Sequence, residues 1–305
     1  MAEYQKALVT GGAGFIGSYL CKGLIKNGLE VIVIDNLSMG KKENLPDGVD
    51  FILGDIIDES MVREVVMNMG IDIIFHQAAK VSVRASIDHF YDDAENNIMG
   101  TLNLLRACKG SPVKRFIYAS SMAVYADSNE PKPINEDFIT NPISPYGASK
   151  LSSEIYSMMI TDRLGIDCIV LRYFNTYGKG QRFTPYVGVI TIFVNRIKEG
   201  EPLIIYGNGN QCRDFVHVSD IVHANILAME KKVRRGVFNI GTGRPTSINR
   251  LAQIIRDKMD PNAKVIHLDD HHGELKNSIA DISKAKEVLG YWPEKALEDA
   301  IHEVI

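Results

Sequence analysis

The stretch LVTGGAGFIGSYL, residues 8–20, decides the fold. A β-branched run ends at Thr10, glycines fall at positions 11, 14 and 17, and an apolar segment of helical character follows. Glycine at such points lets the chain turn sharply and brings backbone N–H groups against an anion at the positive end of a helix dipole. A glycine triad alone is weak evidence, so its surroundings carry the argument. Asp35 closes the next strand-like run, 18 residues past Gly17. A carboxylate there accepts hydrogen bonds from ribose hydroxyls and repels a 2′-phosphate, which favours NAD over NADP. The bland alternative is a plain strand-turn-helix with a surface aspartate. Asp55, at the end of the third run, either meets an adenine edge or caps a helix.

Outward from this turn, continuous apolar runs of strand length recur at 6–11, 30–35, 50–55, 71–76, 115–120 and 167–173. Runs without polar alternation suit strands covered on both faces, as in a parallel sheet. Helix-length stretches lie between them, among them 94–109, where Ile98, Leu102 and Leu105 recur at helical spacing. Right-handed crossovers then predict an α/β fold, a doubly wound parallel sheet of the Rossmann kind. After residue 173 the pattern loosens: the connections GKGQ, GNGNQ and GTGRP separate an amphipathic stretch near 188–199, a strand at 203–206, a helix near 219–231 and a strand at 237–240. This predicts a smaller interleaved α/β region that shares a cleft with the first.

The 305 residues are 45% hydrophobic and 24% charged, with a formal charge of -4 and no long block of one sign. That balance argues against a nucleic-acid surface. Cys21, Cys108, Cys168 and Cys212 show no metal-ligand spacing, which fits reduced thiols in the cytoplasm, and Cys108 reads as a core residue. The apolar runs are too short to span a bilayer, and MAEYQ passes straight into a strand-like run. The expectation is a soluble, unprocessed cytoplasmic protein.

Residues 144–150, SPYGASK, place a tyrosine and a lysine four positions apart after a proline. On a helix, Tyr146 and Lys150 stack on one face about 6 Å apart along the axis. Such pairs are common, so the chemistry must justify the reading. A free phenol titrates near pH 10 and must be shifted down to take a hydroxyl proton at neutral pH. Lys150, together with a nicotinamide's positive charge, would stabilise the phenolate. Lys150 is also placed to hold the nicotinamide ribose. Ser121 ends the fifth run, where doubly wound sheets place ligands, and suits a hydrogen bond to the reacting oxygen. Taken alone, it would read as a loop serine satisfying backbone.

With TGGAGFIG at 10–17, DNLSMGKKENL at 35–45, HQAAKVSVRAS at 76–86, NNIMGTLNLL at 96–105, ASSMAVY at 119–125, YGASK at 146–150, RYFNTYGKGQ at 172–181, RDFVHVSD at 213–220, NIGTG at 239–243 and GELKNSIAD at 273–281, the chain resembles the extended short-chain dehydrogenase/reductase family over essentially its whole length. Within that family it is most similar to nucleotide-sugar 4-epimerases of the UDP-galactose 4-epimerase type. The resemblance implies a catalytic triad of Ser121, Tyr146 and Lys150, with Tyr146 taking the C4 hydroxyl proton while a hydride moves to NAD, followed by turnover of the 4-keto sugar and return of hydride to its other face. For NAD it implies Gly11, Gly14, Phe15, Ile16 and Gly17 at the pyrophosphate turn. Asp35, Asn36, Ser38, Gly40, Asp55 and Ile56 follow around the adenosine, and Gln77, Ala78, Ala79, Asn97, Ser120, Tyr146, Lys150 and Tyr173 along the remainder. For the nucleotide sugar it implies Ser82, Ser121, Tyr146, Asn175, Val189, Tyr206, Gln211, Arg213, His271, Glu274 and Ser278. It divides the chain into an NAD-binding part, 1–173 with 214–243, and a nucleotide-sugar part, 174–213 with 244–305. It further implies a homodimer through the helices at 94–109 and 146–163, with Leu151, Ile155 and Met159 facing either a partner or the sheet.

Departures from the family pattern narrow the reaction. Related dehydratases carry an Asp-Glu pair where this chain has Met122-Ala123, and related decarboxylases carry Glu at the second position. Uronate 4-epimerisation or decarboxylation is the enzymatic alternative. His271 stands where many relatives have arginine, and imidazole grips a diphosphate less firmly. Arg213 suits the pyrophosphate, against an ion pair with Asp214 or Asp220. Ser278 replaces a tyrosine that restricts some relatives to plain hexoses, so N-acetyl sugars are expected to enter; the competing reading is a solvent-facing serine. His267, Asp269, Asp270, His271 and His272 invite a metal, but hydride chemistry needs none and no metal is expected. His76, His217 and His223 read as structural. An alternative of another class is a non-catalytic NAD sensor, which would not need Tyr146 or Lys150.

Overall fold

The computed structural model describes residues 4–128, 130–182, 188–269 and 276–305. The six apolar runs form strands β1 (Lys6–Thr10), β2 (Glu30–Asp35), β3 (Val49–Leu53), β4 (Ile73–His76), β5 (Arg115–Ser121) and β6 (Asp167–Tyr173). After them come β7 (Asn175–Tyr177), β8 (Leu203–Tyr206), β9 (Cys212–His217), β10 (Arg235–Ile240), β11 (Pro245–Ser247) and β12 (Val265–Leu268). The main sheet runs β3-β2-β1-β4-β5-β6-β10 with every neighbouring pair parallel. Strand order spreads outward in both directions from the β1/β4 pair, which opens a crevice at the carboxyl ends of those strands.

Both faces of this sheet are covered, which explains the unbroken apolar runs. Val9, Val33, Phe75, Ile117 and Leu171 point to one face and pack with Leu20, Cys21 and Leu24 of α1 (Phe15–Lys26). Leu8, Ile32, Ile74, Phe116 and Val170 point to the other face, under Val62 and Val66 of α2 (Glu59–Asn68). Full burial of each aliphatic side chain contributes roughly 1.5–3 kcal/mol, so a one-residue slip of register is strongly opposed.

The helix expected over 94–109 is not one helix. After α3 (Val83–Asp88), α4 (Phe90–Ala94) runs into a π-helical turn, Glu95–Met99, before α5 (Gly100–Ala107) resumes. A π turn inserts an extra residue, and here it faces Asn97 inward, where its carbonyl accepts from both Thr101 Oγ1 and Ser153 Oγ. The long α6 (Pro145–Leu164) packs beside this segment. Then come α7 (Val189–Lys198), α8 (Val218–Glu230), α9 (Ile248–Met259) and the short α10 (Leu297–Ala300). β9 pairs with β7 and β11, β8 pairs with β12, and a separate core of Phe193, Leu203, Ile205, Leu251 and Ile255 lies under them. Among the described residues no helix is long and apolar enough to cross a membrane.

Candidate active site

The glycine turn is fixed by close contacts. A Cβ on Gly17 would lie 2.1 Å from the Gly11 carbonyl oxygen, and one on Gly11, whose φ is +70°, would lie 2.7 Å from Ala78 N. Only glycine lets β1, α1 and the end of β4 meet this tightly. Gly14 is the N-cap of α1, so no side chain caps the helix, and its first turn carries no acidic residue. Its opening N–H groups are left to an anion, with Phe15 and Ile16 half-buried beside them.

Asp35 is buried rather than on the surface, at 8% exposure. Its Oδ2 accepts from Ala13 N at 2.9 Å and its Oδ1 from Leu37 N at 2.8 Å, which ties the end of β2 to the glycine turn. Gly40 packs against Ala13, and the Asn36 side-chain carbonyl accepts from Ser38 N. Asp55 does not cap a helix, because Asp58 caps α2 instead. Asp55 Oδ2 accepts from Asn36 Nδ2 at 2.6 Å, which joins the residues after β2 to those after β3 next to the buried Ile56.

The start of α6 is held on three sides. Ser144 Oγ accepts from Gly147 N, Pro145 occupies the first turn, and Ser86 Oγ of α3 accepts from Tyr146 N at 3.1 Å. A Cβ on Gly147 would lie 2.2 Å from the Ala123 carbonyl oxygen. Glycine therefore lets the helix start seat against the turn that follows Ser121. Tyr146 and Lys150, one turn apart on α6, and Ser121 at the end of β5 are all buried. Ser121 Oγ accepts from Ala123 N, which matches the backbone-satisfying reading, and it also hydrogen-bonds the Tyr146 phenol. The Lys150 ammonium lies 4.6 Å from the centroid of the Tyr118 ring.

The electrostatics run against the simple expectation of a depressed phenol. Burial pushes Tyr146 up to about 12, opposed by the Ser121 hydrogen bond and reinforced by Asp93. Burial likewise pulls Lys150 down to about 7, opposed by Asp93 and Glu154. The cause is desolvation, which disfavours phenolate and ammonium alike. The phenol therefore holds its proton in this environment, and a positive charge brought to it would favour the phenolate.

Other predicted residues are spread around this centre. Tyr173 OH accepts from Asn225 Nδ2 at 2.7 Å and from Gln77 Nε2 at 3.2 Å, while Ala78 N donates to Thr10 Oγ1 with Ala79 next in line. The Asn97 amide is spent on the Lys80 backbone and on Ser149 Oγ. Ser120 Oγ donates to Glu154, which also holds Arg172, so the Ser120 side chain turns away from the cluster. His76 is fully buried between Thr10 Oγ1 at 2.7 Å and Thr101 Oγ1 at 2.9 Å, and burial pulls it down to about 3. Sequence reading missed Ser86, Asp93, Ser149 and Asn225.

On the other side of the cleft, Asn175 Nδ2 donates to Ser278 Oγ at 3.1 Å and to the Asp214 carbonyl at 3.2 Å. Ser278 is fully buried, which removes the solvent-facing reading. Asp214 binds Thr242, Gly243 and Ala280, and Asp220 binds the Glu294 and Lys295 backbone, so both carboxylates are committed to loop structure. Arg213 donates to the Cys212 and Lys276 carbonyls. Gln211 Nε2 donates to the Tyr206 carbonyl, and the Arg84 guanidinium of α3 lies 5.8 Å from the Tyr206 ring. Val189 opens α7, and Ser82 caps α3. His271 and Glu274 lie outside the described residues, as do Asp270 and His272.

A parallel sheet whose crevice joins an uncapped helix start, an acidic residue ending β2 and a buried Tyr-Lys-Ser cluster defines a dinucleotide-binding α/β enzyme. Residues 7–241 match the model of the NAD dependent epimerase/dehydratase family, and the chain belongs to that family, with NAD as its cofactor. A solved UDP-glucose 4-epimerase from Thermotoga maritima, crystallised with UDP-glucose, is 40% identical at a TM-score of 0.94, covering 98% of this chain and 97% of that one. A UDP-N-acetylglucosamine 4-epimerase from Methanobrevibacter ruminantium, in complex with UDP-N-acetylmuramic acid, is 37% identical at 0.92, covering 100% and 97%. A UDP-N-acetyl-alpha-D-glucosaminuronate decarboxylase from Bacillus cytotoxicus is 34% identical over 99% of this chain and 97% of its own length.

Proposed function

We propose that the chain interconverts the C4 epimers of a UDP-linked hexose, both UDP-glucose/UDP-galactose and the N-acetylated pair, through a transient 4-keto sugar. The observation that carries this reading is the buried cluster at the end of β5, where the Ser121 hydroxyl meets the Tyr146 phenol one helical turn from Lys150. When bound, NAD supplies the hydride acceptor that lets C4 be oxidised. Tyr146 takes the proton of the C4 hydroxyl and returns it after the sugar has turned. Ser121 hydrogen-bonds the C4 oxygen, and Lys150 steadies the phenolate. Gly11, Gly14 and Gly17 hold the cofactor's pyrophosphate, and Asp35 its adenosine ribose. Ala123, at 6% exposure, offers no carboxylate for water elimination, which supports epimerisation over dehydration.

Ser278 supports the wider substrate range. It is small and buried, and its hydroxyl meets Asn175, so a tyrosine there would fill space beside the sugar. The residues 1–173 with 214–243 would serve the cofactor, and the remainder the nucleotide sugar. The exposed Ile155 and Met159 on α6 and Met99 beside α5 support a homodimer, whereas Leu151 packs on the core.

The test incubates the NAD-loaded protein with UDP-, dTDP-, GDP- and CDP-sugars, UDP-glucuronate included, and separates products by chromatography. The expected result is 4-epimerisation of UDP-glucose and UDP-N-acetylglucosamine. In Ser278→Tyr, kcat/KM for the acetylated sugar should fall at least about tenfold relative to the plain one, as a steric block of one bulky group predicts. An unchanged ratio would remove Ser278 as the selector, and turnover of the uronate alone would replace the proposed substrate.

A further inference from the structure

A second carboxylate lies against the reactive helix and takes no part in the steps above. Asp93, on α4, is 2% exposed. Its Oδ2 accepts from Ser149 Oγ, and its Oδ1 has no hydrogen-bond partner among the described residues. Ser149 immediately precedes Lys150, and its hydroxyl also accepts from Asn97 Nδ2 at 3.0 Å. Asn97 in turn binds the Lys80 backbone twice, through Oδ1 at 2.8 Å and Nδ2 at 3.0 Å. The carboxylate is therefore locked in place by α4, the π turn and α6 together. Burial raises the Asp93 carboxyl above its ordinary value, opposed by the Ser149 hydroxyl, Lys150, Asn97 and Lys80, so its charge depends on a nearby cation.

Lys150 of α6 and Lys80, in the loop after β4, act on Asp93, which in turn acts on Tyr146 of α6 and Tyr118 of β5, while Glu154 of α6 and His76 of β4 neighbour Lys150. His76 is neutral at working pH, and Lys80 is half-exposed and sits 3.7 Å from Asp92. Lys150 is the buried amine of the set.

We propose that Asp93 is a positioning residue for the proton-transferring pair: it is the buried counter-charge of the Lys150 ammonium and, through Ser149, fixes the turn of α6 that carries Tyr146 and Lys150. The inference rests on the reading of Tyr146 as the proton-transferring group. Its electrical consequence has one sign. Taking away an anion lowers the proton affinity of every neighbour, so Tyr146 and Lys150 both release their protons at lower pH. Asp93 opposes the burial that lowers Lys150 and adds to the burial that raises Tyr146, in keeping with that sign.

The test titrates the Tyr146 phenol by ultraviolet difference absorbance in the full-length, NAD-loaded protein, with Tyr146→Phe as the blank. In Asp93→Asn the midpoint should move to lower pH by about one unit, and the limbs of the kcat/KM profile should move the same way. Ser149→Ala keeps the carboxylate, so it should lower kcat while leaving the midpoint in place. Asp93→Glu, which keeps the charge, should also hold the wild-type midpoint and covers the case in which Asp93→Asn fails to fold. A wild-type midpoint in Asp93→Asn, or an equal shift in Ser149→Ala or Asp93→Glu, would overturn the proposal. The titration needs no turnover. A wild type that binds NAD and epimerises nothing would defeat the proposed function while leaving this inference to be judged on its own.

Discussion

Two helices begin in the same crevice, and they treat their first turn in opposite ways. The start of α1 has a glycine cap and no acidic residue in its first turn, so its N–H groups are open to an anion. The start of α6 spends its own: Gly147 N on Ser144 Oγ, Ala148 N on the Ser144 carbonyl, Tyr146 N on Ser86, and Pro145 brings no N–H at all. One helix end is left incomplete so that a ligand completes it. The other is completed internally and holds still the tyrosine to which the proposed function gives the proton transfer. Binding and chemistry thus use the same backbone device with the sign of its satisfaction reversed.

Substitutions at the two ends should therefore separate cleanly. Tyr146→Phe leaves the capping bonds intact and removes only the phenol oxygen. It should cut kcat by roughly 10²–10⁴-fold, the usual worth of a positioned acid-base group, with NAD still bound. Full activity in that variant would break the chemical half of the comparison. Gly17→Ala places a methyl 2.1 Å from the Gly11 carbonyl oxygen and should strip the cofactor, with little nicotinamide left after gel filtration. Retention of wild-type NAD there would break the binding half.

His76 links the two ends, because Thr10 leads into the glycine turn and Tyr118 lies under Lys150. Burial holds its folded value near 3 against an ordinary 6.5, so the unfolded chain takes a proton that the folded one refuses. The stability it contributes is complete above pH about 6.5 and is lost as pH falls toward about 3, by on the order of a few kcal/mol. Tm against pH for His76→Gln, compared with wild type, should show a shallower fall through that window; parallel curves would contradict it. The smallest effect is at the cap itself. Ser144→Ala should cost about 1 kcal/mol in urea unfolding and lower kcat without loss of NAD, whereas a loss of NAD would blur the division.

Much of this was legible in sequence because it is local. The glycine turn, Asp35 and the Tyr146-Lys150 spacing are short-range patterns with one physical purpose each, and the apolar runs announced a doubly covered sheet. What escaped was set by tertiary packing. Ser86 meets Tyr146 N from 60 residues away, and Asp93 meets Ser149 from 56, with no periodicity to mark either pair. The π turn at Glu95–Met99 interrupts a segment whose apolar spacing reads as one helix. Asp55 stands three residues before the true cap, Asp58, which the sequence reading did not single out. The direction in which Tyr146 shifts is a property of burial, which no spacing of tyrosine and lysine reveals.

On the proposed function, C4 of the sugar is oxidised and then reduced within one closed site whose proton is handled by Tyr146. UDP-glucose deuterated at C4, turned over by the NAD-loaded protein in ordinary water, tests it most directly by mass spectrometry and proton NMR of the product. The account predicts UDP-galactose that keeps its deuterium at C4. Product with hydrogen from solvent at C4, or no C4 epimer at all, would contradict it.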